Sequence, residues 1–68
     1  MNNSPKERVE IELHDLEEKA VKLGEFIISD KFDKLSPRMR ELLSEQYGYM
    51  CGYANILRER LEIWEQKL

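Results

Sequence analysis

The sequence predicts an all-α protein: an antiparallel two-helix hairpin that assembles into a homo-oligomeric helical bundle. Three observations predict it. Two apolar seams keep a heptad spacing without a break, serine–proline pairs open both helices at Ser4-Pro5 and Ser36-Pro37, and each helix carries more apolar surface than one partner covers.

The first helix is expected from about residue 5 to residue 30. Ser4 is placed to cap free backbone N–H groups, Pro5 suits the first helical position, and Glu7 completes a capping box. Val9, Leu13, Leu16, Ala20, Leu23 and Ile27 follow at steps of 4, 3, 4, 3 and 4, with Gly24 as the one weak helix former in the middle. Residues 31–36 form the expected turn, short enough to force antiparallel neighbours, with Phe32 and Leu35 closing its end. The second helix is expected from residue 37 to about residue 67. Its seam is Leu43, Tyr47, Met50, Ala54, Leu57, Leu61, Trp64 and Leu68. Residues 1–68 thus read as a single domain without repeat or linker.

Each helix has a further apolar column. In the second helix Leu42, Tyr49, Ile56 and Ile63 stand seven residues apart, and in the first Val21 and Ile28 do the same. A hairpin buries one stripe per helix, so the widened stripes predict an oligomer interface made of these six residues. Size argues the same way. A chain of 68 residues has a small core, and one cysteine (Cys51) and one histidine (His14) offer neither an internal disulfide nor a zinc set. Self-association is the remaining staple.

Composition narrows the function classes. The net charge of −3 argues against a general DNA- or RNA-coating role, which needs a basic face. No apolar run approaches the ~20 residues that cross a bilayer, and Met1-Asn2-Asn3-Ser4 does not read as a signal peptide, so a cytoplasmic location is expected. Nucleophilic catalysis needs a nucleophile oriented by a base. His14 and Cys51 lie on different helices with nothing to bring them together, so neither catalysis, a metal nor a cofactor is expected.

The unusual stretch is Tyr47-Gly48-Tyr49-Met50-Cys51-Gly52-Tyr53. Two glycines inside a helix cost about 1 kcal/mol each relative to alanine. Either close helix packing or a ligand-contacting notch among tyrosines would offset that cost. Gln46, Tyr53 and Arg60 also stand in one column at steps of seven. An amide, a ring and a guanidinium in line suit a base edge, a stacking face and a phosphate, and they suit the rim of a protein interface as well. Arg38 and Arg40 add cations where free backbone N–H groups would favour a phosphate.

Phe26-Ile27, Lys31-Phe32, Leu35-Ser36, Leu42-Leu43, Gln46, Met50, Tyr53, Ile56-Leu57 and Arg60-Leu61 resemble a family of small helical proteins of crAss-type and related phages. The resemblance runs from about Arg8 to Trp64, and Tyr47-Gly48 and Cys51-Gly52 depart from it. In size and architecture that family is similar to the helical-hairpin sponges that phages use against CBASS and Thoeris immunity, which trap cyclic nucleotide signals between protomers without cleaving them. The resemblance implies a homo-oligomer that binds a cyclic nucleotide or a cyclic ADP-ribose-type molecule. Tyr47, Tyr49 and Tyr53 would then stack or hydrogen-bond, Arg38, Arg40 and Arg60 would hold phosphate, and Gln46 would read a base edge. The alternative is a structural module that docks a host or phage protein.

Overall fold

The computed structural model describes residues 4–65 and is all-helical there. Its elements are α1 (Pro5–Ile27), α2 (Asp30–Asp33) and α3 (Pro37–Glu65). The expected end of the second helix near residue 67, and Leu68 of its seam, lie outside the described residues.

Both helix starts form through the serines. The Ser4 hydroxyl accepts from the Glu7 backbone N–H at 3.2 Å, while the Ser4 N–H donates to the Glu7 carboxylate at 3.4 Å, so the capping box is closed in both directions. At α3 the Ser36 hydroxyl accepts from the Met39 N–H at 3.2 Å. Proline follows each serine at the first helical position, where its missing N–H is not needed.

The end of α1 differs from the expected residue 30. The helix stops at Ile27, because Ser29 turns extended (φ −91°, ψ 161°) and its hydroxyl donates to the Phe26 carbonyl at 2.6 Å. A serine side chain thus supplies the hydrogen bond that a further helical turn would have made. The expected turn at 31–36 also holds more structure than a loop, since Asp30–Asp33 makes one helical turn. Phe32 from that turn meets Phe26 edge-to-face, with ring centroids 6.3 Å apart and planes at 87°.

Helices α1 and α3 pack chiefly on one another. The seam residues carry the contact: Val9, Ala54 and Leu57 are buried, and Leu13, Leu16, Ala20, Leu23, Leu43, Met50 and Leu61 are half-buried. Tyr47 and Trp64 sit at its exposed margin. Leu57 is fully enclosed, at 0% exposure. The outline is 50 × 25 × 15 Å. Arg58 of α3 pairs with Glu17 of α1 at 2.6 Å, and Arg58 also donates to Asn55 at 2.7 Å. Both partners are well exposed, so the pair is worth roughly 0.2–1 kcal/mol, and apolar contact dominates.

Leu57→Ala removes the best-buried side chain from a thin core. A loss of about 3 kcal/mol is expected, against under ~1 kcal/mol for Glu17→Gln, both measured by urea unfolding at one protein concentration.

Candidate functional site

The seam divides the two-helix unit into two flanks. On α3, the residues one position before each seam residue are Leu42, Gln46, Tyr49, Tyr53, Ile56, Arg60 and Ile63. The expected interface column and the expected amide–ring–guanidinium column are therefore interleaved along a single face. That face is open. Tyr49 is 77% exposed, Ile63 is 70% exposed, and Leu42, Gln46, Tyr53, Ile56 and Arg60 are exposed as well. Leu42, Gln46, Tyr49 and Tyr53 line one hollow of about 450 Å³ together with Met50 and Glu45.

The other expected residues lie elsewhere. Tyr47 points to the opposite flank, into a hollow of about 350 Å³ shared with Val21, Cys51 and Arg58. Val21 and Ile28 are exposed, Ile28 at 86%, and Val21 stands on that second flank rather than beside Leu42 and Tyr49. The six expected interface residues thus fall on more than one side of the molecule. Arg38 is exposed and paired to Glu41 at 3.0 Å. Arg40 is half-buried, with its Nε enclosed and without a hydrogen-bond partner. Neither arginine, nor Arg60, lines these hollows. Of the seven expected ligand residues, the fold brings Gln46, Tyr49 and Tyr53 together within one chain.

Residues of α1 that the sequence reading passed over complete the first flank. The Tyr53 hydroxyl donates to the Glu12 carboxylate. Arg8, Glu12, Asp15 and Lys19 surround a hollow of about 440 Å³ that Tyr53 also lines. Their steps of 4, 3 and 4 place each residue one position before a seam residue of α1. That spacing was the signal available in the sequence. Like flanks meet when two such helices run antiparallel, so these four face the Gln46–Tyr53 side of α3.

The glycines divide in the same way. A Cβ added at Gly24 would stand 3.1 Å from Tyr47 Cε1, so Gly24 makes room for the Tyr47 ring. At Gly48 and Gly52 an added Cβ would meet nothing within 4 Å. The close-packing glycine within the chain is Gly24, while the Gly48–Gly52 pair faces open space. Hydrogen bonding to the Cys51 side chain, then the charge interaction with it and, least, burial raise the Tyr47 hydroxyl above the ordinary tyrosine value.

Among the described residues, no group of three or more His, Cys, Asp or Glu is placed to hold a metal ion. None of the described helices is long and apolar enough to cross a membrane.

This geometry defines a class: a small helical protein with an open aromatic–amide face and shallow hollows beside it, the equipment of a binding protein. A family model described as Sequestin matches residues 3–63, and the chain belongs to the Sequestin family. No curated protein and no solved structure matches it.

Gly48→Ala and Gly52→Ala are each expected to raise the stability of dilute protein by about 1 kcal/mol in urea unfolding, since helix propensity improves and nothing is displaced. Gly24→Ala is expected to gain less or to lose, because the Tyr47 ring must shift. In spectrophotometric titration at alkaline pH, Cys51→Ala is expected to move the ionisation of Tyr47 to lower pH. Because the folded-state value is raised, this interaction stabilises the fold at lower pH and is lost as pH rises through that value.

Proposed function

We propose that this protein is a phage-encoded sponge, a non-catalytic homo-oligomer of antiparallel hairpins that sequesters a cyclic nucleotide or cyclic ADP-ribose-type immune signal in the host bacterial cytoplasm. One observation carries the reading: Gln46, Tyr49 and Tyr53 line a hollow on the same exposed face as the apolar column Leu42, Tyr49, Ile56 and Ile63. A face that needs covering and a face able to bind an aromatic ligand are the same face. When copies meet along the apolar column, a molecule lying against Gln46 and Tyr53 loses its water on both sides. Base–aromatic stacking of this kind is worth roughly 1–3 kcal/mol per base.

Membership of the Sequestin family supports the reading, because the family's name denotes holding rather than converting. The arginines enter as follows. Arg60 continues the Gln46–Tyr53 column toward the end of α3, and Arg38 and Arg40 stand in its first turn, each able to hold phosphate where a second chain brings it near. The exposed Val21 and Ile28 give the chain additional apolar surface for neighbouring copies.

The exposure of the apolar residues also favours a second reading, a module whose apolar column docks a host or phage protein. Native mass spectrometry and calorimetry separate the two. The sponge is expected as a symmetric homo-oligomer that releases heat with at least one member of a panel of cyclic di- and trinucleotides and cyclic ADP-ribose isomers. Tyr53→Ala and Gln46→Ala are expected to weaken that binding about tenfold or more, with the oligomer intact. A monomer with no heat from any panel member ends the proposal. One stoichiometric protein partner recovered from infected cells would favour the docking module.

A further inference from the structure

Tyr53 stands between two hollows of nearly equal size, of which the α1-side one is the more polar. On its α3 side, the hollow of about 450 Å³ is mostly apolar, with Leu42, Tyr49 and Met50 as walls and the Gln46 amide and Glu45 carboxylate as polar groups. On its α1 side, the hollow of about 440 Å³ has Ile11 and Leu16 in its lining and carries Arg8 and Lys19, with Glu12 and Asp15 between them in sequence. The hydrogen bond from the Tyr53 hydroxyl to Glu12 ties the ring to α1, so the divider is anchored on both helices.

We infer that these two hollows form one bipartite site for a ribonucleotide, with the base in the Gln46–Tyr49 hollow and the sugar and phosphate in the Arg8–Lys19 hollow, on either side of Tyr53. The inference rests on the nucleotide-binding reading above and assigns it residues of α1 that the sequence pattern did not single out. Each part has a chemical reason. An apolar wall edged by an amide and a carboxylate suits the flat face and polar edge of a base, whose amino groups donate to the carboxylate. Arg8 and Lys19 supply charge-assisted hydrogen bonds to phosphate oxygens. Glu12 and Asp15 suit ribose hydroxyls, which carboxylates accept from. The two carboxylates also balance the two cations, so the hollow has no net charge with which to attract a bare anion. Such a site prefers a phosphate attached to a sugar over free phosphate.

Fragments of a nucleotide test this without knowledge of the physiological ligand. Amide resonances of the full-length protein are followed by NMR while 5′-AMP, adenosine, ribose 5-phosphate and inorganic phosphate are added in turn. The expected result is that 5′-AMP moves signals around both hollows. Adenosine should move those near Gln46 and Tyr49, ribose 5-phosphate those near Arg8 and Lys19, and inorganic phosphate neither set. Arg8→Ala combined with Lys19→Ala should weaken 5′-AMP at least about tenfold and leave adenosine unchanged. Arg8→Lys with Lys19→Arg should restore most of the loss, with unchanged circular dichroism throughout. The inference is overturned if 5′-AMP moves only one set or neither, if inorganic phosphate matches ribose 5-phosphate, or if the double alanine variant holds 5′-AMP as well as the parent does. Its failure is distinct from that of the sponge reading. Silence from the signal panel with 5′-AMP in both hollows sinks sequestration alone, and panel binding without 5′-AMP at Arg8 and Lys19 sinks the bipartite site alone.

Discussion

A pair of helices shares one seam, and everything else about this molecule depends on how little that seam encloses. Among the described residues, only Val9, Ala54 and Leu57 are buried. The other described seam residues keep contact with water, because among the described residues no third layer covers them. Apolar contact along this line sets how α1 and α3 lie, and the capped helix starts at Ser4 and Ser36 fix where each helix begins. The polar cross-links, Arg58 to Glu17 and Tyr53 to Glu12, are exposed and follow from that register rather than create it.

The register then decides which side chains become neighbours. Residues one position before the seam on α1 meet residues one position before the seam on α3, which is how Tyr53 comes to lie among Arg8, Glu12 and Lys19. Residues one position after the seam gather on the other side, where Glu17, Val21, Cys51 and Arg58 assemble around Tyr47. A single packing line therefore creates two chemically different flanks. The first carries amide, aromatic and charged groups beside the apolar column, and the second carries Tyr47 and Cys51.

Much of this was legible in the sequence. The all-helical class and both capped starts followed from heptad spacing and serine–proline chemistry, which are local and strong signals. The end of α1 was not legible, since Ser29 competes for the Phe26 carbonyl only once the chain has turned, and an intact heptad pattern conceals that competition. The site was read from α3 alone. Its column of Gln46, Tyr53 and Arg60 was visible because the residues are chemically distinctive, whereas Arg8, Glu12, Asp15 and Lys19 looked like an ordinary charged surface until the fold set Tyr53 against them. Glycine roles were equally dependent on the fold. Gly24 resembles a mild helix defect in sequence, yet it is the glycine that accommodates a ring from the other helix.

The 15 Å dimension of the molecule has a consequence for how anything is held. A single helix with its side chains measures about 10–12 Å across, so the body is scarcely thicker than one helix. No point inside such a slab lies far from bulk water, and a guest larger than a few atoms finds no room for full enclosure within one chain. A closed chamber here has to be built from walls contributed by separate molecules, and opening it requires those molecules to part.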